Sequence, residues 1–271
     1  MTEPRPITFL SDYGYEDEFA GVCRAVIARI APAAPLIELT HGVPREDVRR
    51  GAVMLADALP YAPAGVHLAV VDPGVGTGRR SIAVGTAEDR VLVGPDNGLL
   101  WPAIEALGGA LEAVDLCSSP FRLEPVSATF HGRDLFAPVA ARIALGAKLN
   151  EAGEPIEPDS LKRLELPAAR VEQDLVVAQV LYLDRFGNAT LGVRSEELEG
   201  GPLHPGGSLT VAAGDSTREA RFVRAFADVG EGEVLVYEDS SRRLAIAVNR
   251  GSAAEALGVR PGDEVTLAPA R

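Results

Sequence analysis

The sequence predicts an α/β N-terminal domain with a mostly parallel, doubly covered sheet, followed by a smaller all-β, barrel-like C-terminal domain. Two patterns predict this fold class. In the first part of the chain, short runs of Val, Leu and Ala alternate with segments of helical periodicity, as in sheets that helices cover on both faces. In the last part, many short strands are separated by Gly and Pro turns, as in small barrels. The expected domains are residues 1–165 and 166–271.

The first domain begins with a strand and a helix, which is the start of a βαβ unit. Val22, Val26, Ile27 and Ile30 have the spacing of one apolar helix face. The alternation of strands and helices then continues through the domain. The expected strands are residues 7–10, 36–39, 66–71, 81–86 and 91–93, and the expected helices are residues 20–30, 48–59, 99–107 and 135–145.

Residues 150–169 are predicted to be a linker. This segment contains Pro155, Pro158 and Pro167 and charged residues, without a sustained hydrophobic period. The chain beyond it consists of short β-forming runs between Gly and Pro turns, which predicts the barrel-like domain. The expected strands are residues 176–183, 191–193, 208–212, 220–226, 233–237, 244–248 and 265–267.

The composition is that of a globular protein, with 46% hydrophobic and 24% charged residues among 271. A net charge of −13 argues against a nucleic-acid partner, because phosphate binding needs a basic face. No apolar run approaches about 18 residues, so no membrane span is expected. Residues 1–6 carry charges of both signs and do not resemble a secretory signal, and the two cysteines lack CxxC spacing. These features predict a cytoplasmic protein.

Two carboxylates stand at the ends of predicted strands. The strand of residues 7–10 runs into Ser11 and Asp12, and Asp72 directly follows the strand of residues 66–71. Open α/β sheets bind ligands at the carboxyl ends of their strands, so both residues are candidates for a binding site. An Asp in such a position also caps turns and helices, and the sequence leaves both interpretations open.

A glycine-rich turn separates Asp72 from Arg79. Its glycines, Gly74, Gly76 and Gly78, have GxGxG spacing, which lacks the final glycine of a dinucleotide fingerprint and the Lys-Ser/Thr of a phosphate loop. We expect the glycines to let the chain turn so that the carboxylate and the guanidinium meet. A purely structural salt bridge is the alternative.

Of the four histidines, only His131 is a candidate catalytic residue by its sequence position, because it lies between a Phe and a Gly-Arg-Asp turn that begins a helix. A single histidine is more often structural than catalytic. The others, His41, His67 and His204, are too scattered to indicate a metal site.

Five peptides carry a resemblance to a known family. They are FLSDYG at residues 9–14, VDPGVGTGRR at 71–80, GPDNG at 94–98, TFHGRD at 129–134 and LDRFGN at 183–188. Together, and in this order, they resemble the S-adenosyl-L-methionine (SAM) hydroxide adenosyltransferase family, which is related to the bacterial fluorinase and chlorinase.

The resemblance implies hydrolysis of SAM to adenosine and L-methionine by attack of water at carbon 5′ of the ribose. It assigns Asp72, Arg79 and His131 to the attacking water, with either His131 or Asp72 as the base, and Asp12 to the ribose hydroxyls. It implies neither a cofactor nor a metal. It also implies a homotrimer with active sites between subunits, in which residues 1–165 transfer the adenosyl group and residues 166–271 bind substrate.

The resemblance assigns further substrate contacts to the second domain. Asp184 matches a residue that holds the amino group of methionine, and Asn188 matches one that bonds the adenine edge, with Phe186 nearby. The remaining amino-acid and adenine contacts are expected from Tyr237, Ser240, Asn249 and Arg250. One departure is Ser241, which stands where the fluorinase has an arginine.

Two alternatives remain open. The first is a SAM-dependent halogenase of the chlorinase kind, which has the same fold and substrate. The fluorinase has a tyrosine at the position of His131 and a serine at that of Gly132, whereas the chlorinase shares Gly132; His131 therefore favours water. The second is a module that binds SAM or adenosine without catalysis, for which Asp72, Arg79 and His131 would be unnecessary.

Overall fold

The structure is a computed structural model that describes residues 3–270. Met1 and Thr2, part of the N-terminal segment interpreted above, and Arg271 lie outside the described residues. The chain divides into two compact units between Glu165 and Leu166. The first unit contains an α/β sheet and the second a closed β-barrel, which confirms the predicted fold class.

The first unit contains seven strands in its described part, with five α-helices around them. The strands are β1 (Ile7–Ser11), β2 (Leu36–Thr40), β3 (Val66–Val70), β4 (Ser81–Thr86), β5 (Arg90–Pro95), β6 (Ala110–Asp115) and β7 (Glu154–Ile156). The helices are α1 (Phe19–Ile30), α2 (Val48–Ala58), α3 (Trp101–Ala106), α4 (Ala137–Ala144) and α5 (Leu149–Ala152).

The strands form one sheet in the order β2-β1-β3-β5-β4-β6-β7. β2, β1, β3 and β5 are parallel, while β4 runs antiparallel to both β5 and β6, and β7 antiparallel to β6. β6 therefore shares the direction of the parallel strands. Because β4 is reversed, its first residue lies at the edge of the sheet where β1, β3 and β5 end.

Hydrophobic cores cover both faces of this sheet. On β3, Val66, Leu68 and Val70 pack with α1 and α4 on one face. Ala69, and Val71 directly after the strand, pack with α2 and α3 on the other. Every residue of β3 is buried, which explains its nearly continuous apolar sequence. Each fully buried Val or Leu side chain contributes about 1.5–3 kcal/mol, so the sheet is a rigid base for the loops at its edges.

The prediction missed β6, and it placed several element ends differently. Leu111 and Glu112 of β6 are exposed, so this strand lacks the apolar run that marks the central ones. The helix expected at residues 99–107 is limited to α3, and the helix expected at 135–145 is α4, preceded by a wide π-type turn at Gly132–Phe136.

The linker prediction was wrong for most of its length, because the segment up to Glu165 packs on the first unit. It contains α5, β7 and a short 3-10 turn at Pro158–Ser160. Buried Asp96 anchors the segment: its carboxylate accepts from Arg80 Nε at 2.8 Å and from the backbone N–H of Lys162 at 2.8 Å. Proline and charge here mark an edge strand rather than free chain.

The second unit is a barrel. β9 pairs with both β15 and β10, and the ring β9-β10-β14-β13-β12-β11-β15 is therefore closed. The short β8 pairs with Val176 and Val177 at the start of β9. The strand expected at 220–226 begins earlier and ends earlier, as β12. The elements are β8 (Arg170–Val171), β9 (Val176–Leu183), β10 (Ala189–Arg194), β11 (Ser208–Ala213), β12 (Ser216–Phe222), β13 (Val234–Glu238), β14 (Arg243–Val248), α6 (Ala253–Leu257) and β15 (Glu264–Pro269).

The interior of the barrel is filled by alternate side chains of its strands. Val176, Ala178 and Val180 of β9 all point into this core, and α6 adds Ala253 and Leu257. Closure removes free sheet edges, so the turns between strands become the exposed positions on which polar groups can be placed.

Candidate active site

Three candidate residues of the first unit lie at one edge of its sheet. β1 and β3 are parallel neighbours with Ser11 paired to Val70, so the residues that follow them, Asp12 and Asp72, leave the sheet at the same edge. Arg79 comes to this edge from the other direction, two residues before the first residue of β4. The topology thus brings together residues that the sequence separates by a glycine-rich turn or a helix.

The side chains of Asp72 and Arg79 form a bidentate ion pair. Arg79 Nε donates to Asp72 Oδ1 at 2.8 Å, and Arg79 Nη2 donates to Asp72 Oδ2. The side chains are only 6% and 10% exposed, so the pair is shielded from water. Gly76 makes the turn possible, since its φ is +76° and a Cβ would lie 2.5 Å from the carbonyl oxygen of Ala128.

His131 is the third member of this cluster. Arg79 Nη2 lies 3.1 Å from His131 Nδ1, and the ring of Phe136 packs against both side chains. Burial lowers the pKa of His131 below 6.5, and the positive charge of Arg79 acts in the same direction. The imidazole is therefore neutral at neutral pH.

The loop that carries His131 is fixed by Asp134 in the π-type turn. The buried Asp134 carboxylate accepts from the backbone N–H of Ser127 at 2.8 Å and from Arg133 Nε at 2.6 Å. The bond from Ser127 holds the chain just before the TFHGRD peptide to the last residue of that peptide, and so closes the loop around His131.

Asp12 lies in a second polar network at the same edge. Its Oδ2 accepts from the backbone N–H of Glu46 at 2.9 Å, and burial raises the pKa of the Asp12 carboxyl. The preceding residue, Ser11, is fully buried and its hydroxyl lies 2.7 Å from His41 Nδ1. This network holds the start of the loop after β1.

A cavity of about 390 Å³ opens at this edge, which is in the range of small-molecule sites. Asp12, Asp72 and His131 line it, whereas Arg79 contacts Asp72 and His131 without being among the lining residues. The sequence analysis did not select several further lining residues, although some lie inside the motifs quoted above. These are Tyr13, Asp17, Phe19, Arg45, Glu46, Val70, Val75, Thr129, Phe130 and Gly132.

In the second unit, Asp184 and Asn188 lie together in the turn between β9 and β10. Asp184 Oδ1 accepts from the backbone N–H groups of Phe186 and Asn188, and Asp184 Oδ2 accepts from Asn188 Nδ2 at 2.8 Å. Asn188 is buried, whereas the Phe186 ring is 65% exposed. Gly187, with φ +80°, closes the turn.

Tyr237 and Ser240 lie at the end of β13 and in the turn that follows. The Tyr237 ring packs against Phe226 with 5.0 Å between centroids, and Phe226 is a half-exposed aromatic residue that the sequence analysis missed. Burial raises the pKa of Tyr237 to about 12, and the charge of Asp184 acts in the same direction. The hydroxyl is therefore a neutral hydrogen-bonding group.

Asn249 and Arg250 lie after β14 and are engaged elsewhere. Asn249 Nδ2 donates to the carbonyl oxygen of Val229 at 2.9 Å, and Arg250 Nη1 pairs with Glu231 at 3.0 Å on the exposed surface. Neither contact joins the Asp184–Asn188 pair.

The described residues contain neither a metal-binding cluster nor a membrane-spanning helix. Within residues 3–270, no group of three or more His, Cys, Asp or Glu side chains is arranged to hold a metal ion. In the same part of the chain, no helix has the length and apolar character needed to cross a bilayer.

Comparisons with known proteins match both units. The model of the SAM hydroxide adenosyltransferase N-terminal domain matches residues 7–153, and that of the C-terminal domain matches residues 178–266. A relative from Salinispora tropica, named (R)-S-adenosyl-L-methionine hydrolase, is 52% identical over 97% of this chain and 98% of its own. A fluorinase from an Actinoplanes species is 28% identical over 97% of each chain. The crystal structure of an uncharacterized conserved protein from Thermotoga maritima matches with a TM-score of 0.91 and 37% identity, over 97% of this chain and 99% of that one.

Proposed function

Because the chain belongs to the SAM hydroxide adenosyltransferase family, we propose that it is a SAM hydrolase that forms adenosine and L-methionine. The observation that carries the proposal is the convergence of Asp72, Arg79 and His131 at a cavity that Asp12 also lines. The identity to the hydrolase relative, 52%, also exceeds the identity to the fluorinase, 28%.

In this reaction, water attacks carbon 5′ of the ribose. The bond between carbon 5′ and sulfur breaks, and its electron pair stays on sulfur, which leaves as the neutral thioether of methionine. The water oxygen becomes the 5′ oxygen of adenosine, and one proton is released. The sulfonium is already a good leaving group, so the site needs no acid to protonate it and no cofactor to activate it.

The site's main task is therefore to remove a proton from water. Deprotonating the water before the attack would cost about 12 kcal/mol at neutral pH. The pKa of water lies about 8.7 units above 7, and each unit corresponds to about 1.36 kcal/mol. We place proton loss within the attack instead, because the forming carbon–oxygen bond makes the water strongly acidic. A carboxylate is then a sufficient base.

Asp72 is the base in this proposal, and His131 is a hydrogen-bond donor. His131 Nδ1 accepts from Arg79, so the neutral ring carries its proton on Nε2 and has no free lone pair. Asp72 accepts one hydrogen bond from Arg79 on each oxygen and keeps further lone pairs for the water. Arg79 thus orients both groups at once.

Asp12 is proposed to bind the ribose. A carboxylate has two acceptor oxygens, which suits the adjacent 2′ and 3′ hydroxyls. The backbone N–H of Glu46 occupies one lone pair of Oδ2 and leaves the rest of the carboxylate for the sugar.

The second unit is proposed to bind the two ends of the substrate. Asp184, Tyr237 and Ser240 hold the methionine part. Asn188 and Phe186 hold adenine, with Asn249 and Arg250 as further adenine contacts that must exchange their present partners, Val229 and Glu231. Asp184 and Asn188 already form one hydrogen-bonded unit, which supports their acting together.

We further propose a cytoplasmic homotrimer in which residues 1–165 of one chain and residues 166–271 of its neighbour complete each site. The family resemblance supports the trimer, and the acidic composition with two free cysteines supports the cytoplasm. The name of the relative specifies the (R) form of SAM, so we expect the same preference. Turnover of the separated sulfonium epimers tests it, and equal rates would contradict it.

The proposed reaction is tested in water enriched in heavy oxygen. Attack at carbon 5′ places the heavy oxygen in adenosine and none in methionine, which mass spectrometry of the products detects. A reaction without protein in the same water is the control. Free adenine or S-adenosylhomocysteine as the product would contradict the proposal.

A further inference from the structure

Tyr13 lines the cavity, and the mechanism proposed above gives this residue no role. Its ring is held edge-on to Phe130, with 5.9 Å between the centroids, and it also packs against Phe9 and Phe19. Its backbone N–H donates to Ser11 Oγ at 3.3 Å. The ring is therefore fixed, and it is directed toward the loop that carries His131.

The Tyr13 hydroxyl lies beside Gly132, the residue that follows His131. A Cβ atom built on Gly132 would overlap the hydroxyl oxygen and would lie 3.0 Å from Tyr13 Cζ. Gly132 is not among the residues with positive φ, so its backbone conformation does not itself require glycine. Glycine is therefore required at position 132 because the Tyr13 side chain leaves no space for a Cβ atom.

The Tyr13 hydroxyl makes no hydrogen bond to any residue of the described chain, 3–270. It shares the cavity with Asp12, Asp72 and His131. Burial raises the pKa of Tyr13 well above 10, and the charges of Asp12 and Asp72 act in the same direction. The group is a neutral phenol that donates and accepts, and a molecule in the cavity must supply its partner.

On the basis of the function proposed above, we propose that the Tyr13 hydroxyl binds the attacking water and then the 5′ hydroxyl of the adenosine formed. A water molecule has two lone pairs and two hydrogens. One lone pair attacks carbon 5′, and the other accepts from His131 Nε2. One hydrogen passes to Asp72, and the second is held by the Tyr13 oxygen and remains on the product as the 5′ hydroxyl hydrogen.

This assignment separates Tyr13 from the residues that bind SAM. SAM has no oxygen at carbon 5′, so Tyr13 gains its partner only from the water or from adenosine. Loss of the hydroxyl is therefore expected to reduce kcat and to weaken the binding of adenosine, while the KM for SAM changes little.

The first test is Tyr13→Phe, which keeps the ring and its packing. We expect kcat to fall by about 3- to 10-fold, the effect of one neutral hydrogen bond, while KM changes less than about twofold. The matched control is Tyr15→Phe, since Tyr15 is exposed and is not among the cavity residues. A raised KM with unchanged kcat, or no change in either, would overturn the proposal.

The second test compares adenosine with 5′-deoxyadenosine, which lacks only the 5′ oxygen. Calorimetry should show that Tyr13→Phe weakens adenosine by about 3- to 10-fold and leaves 5′-deoxyadenosine unchanged. Equal weakening of both ligands would place Tyr13 against the ribose or adenine and overturn the proposal. Failure of the proposed function would give a different result from failure of the Tyr13 proposal, because the native chain would then form no adenosine from SAM in the kinetic assay.

The contact with Gly132 has its own test. Gly132→Ala should lower the melting temperature in the native chain and lower it less in the Tyr13→Phe background, where the overlapping oxygen is absent. Equal losses in the two backgrounds would show that the Tyr13 hydroxyl does not lie beside position 132, and the proposal would fall with it.

Discussion

Arg79 Nη2 lies 3.1 Å from His131 Nδ1, and this single contact determines what the histidine can do. A guanidinium only donates hydrogen bonds, so Nδ1 must accept, and the proton of the neutral ring must be on Nε2. The same guanidinium holds both oxygens of Asp72. One arginine thus fixes a donor and an acceptor at the edge of one cavity, which is the arrangement that a water molecule needs when it must be held and deprotonated.

The proposed donor role of His131 is tested by replacing it with glutamine and with alanine. Glutamine offers an amide N–H in place of Nε2–H, so His131→Gln should keep more activity than His131→Ala, which we expect to lose about 100-fold in kcat. Steady-state kinetics with SAM measures both variants. If His131 were the base, the two variants would be equally inactive, and full activity of His131→Ala would exclude the whole cluster.

The pH dependence of kcat/KM should show an acid limb below pH 6.5. The pKa of His131 is lowered by burial and by Arg79, and protonation puts a hydrogen on Nδ1 opposite the guanidinium. Activity is therefore expected to be full above the lowered pKa and to fall as pH decreases through it. His131→Gln is the control, since it has no imidazole, and an unchanged acid limb in this variant would assign the limb to another group.

Much of the site was predictable from the sequence, because its carboxylates stand at strand ends. Asp12 and Asp72 follow short apolar runs, and parallel neighbours must end at one edge. The glycine-rich turn also made the meeting of Asp72 and Arg79 predictable, since the two are close in sequence. The contact between Arg79 and His131 was not, because it depends on how a loop before α4 packs, which no local pattern encodes.

The sequence did not predict β6, the packing of the segment after α4, or the contact between Tyr13 and Gly132. β6 has an exposed Leu111 and Glu112, so it does not have the apolar run of a central strand. The segment after α4 has the prolines of a linker, but buried Asp96 holds it on the sheet through a bond to Lys162. Tyr13 lies inside a recognised motif, yet its contact with Gly132 joins two residues that are close only in the fold.

Halides should not replace water as the nucleophile. The Asp72 carboxylate lines the cavity and repels an anion, and a halide has no proton for it to take. Mass spectrometry of reactions with added chloride or fluoride should find adenosine and no 5′-halo-5′-deoxyadenosine at a comparable rate. A reaction without halide is the control, and halogenated product at the rate of adenosine would restore the halogenase alternative.

His67 should make the stability of the protein depend on pH. It is fully buried, lies 2.9 Å from Thr8 Oγ1 and 3.3 Å from Arg90 Nη1, and its pKa is lowered from 6.5 to about 4, mainly by burial and then by Arg90. Between pH 6.5 and about 4, His67 is protonated in the unfolded chain but stays neutral in the folded chain. The free energy of unfolding is therefore highest above pH 6.5 and falls as pH decreases toward 4. The loss is about 3 kcal/mol.

Urea denaturation of the native chain and of His67→Gln at several pH values measures this effect. Glutamine can accept from Arg90 and donate to Thr8 but does not titrate, so the variant should lose about 3 kcal/mol less than the native chain between pH 7 and pH 4. The comparison removes the other histidines, which titrate in both proteins. If the free energy of unfolding changed equally with pH in the two proteins, the pKa of His67 would not be lowered by folding, and the prediction would be wrong.

Two inactive variants should restore activity to each other if sites form between subunits. Asp72→Asn damages the first unit and Asn188→Ala the second, so a mixed trimer contains interfaces at which the intact first unit of one chain meets the intact second unit of another. In a ring with equal, random mixing, about a quarter of the sites combine two intact halves. Refolding the variants together and measuring adenosine formation tests this, with each variant refolded alone as the control. A site built within one chain would give no recovery, because every chain in the mixture carries one damaged half.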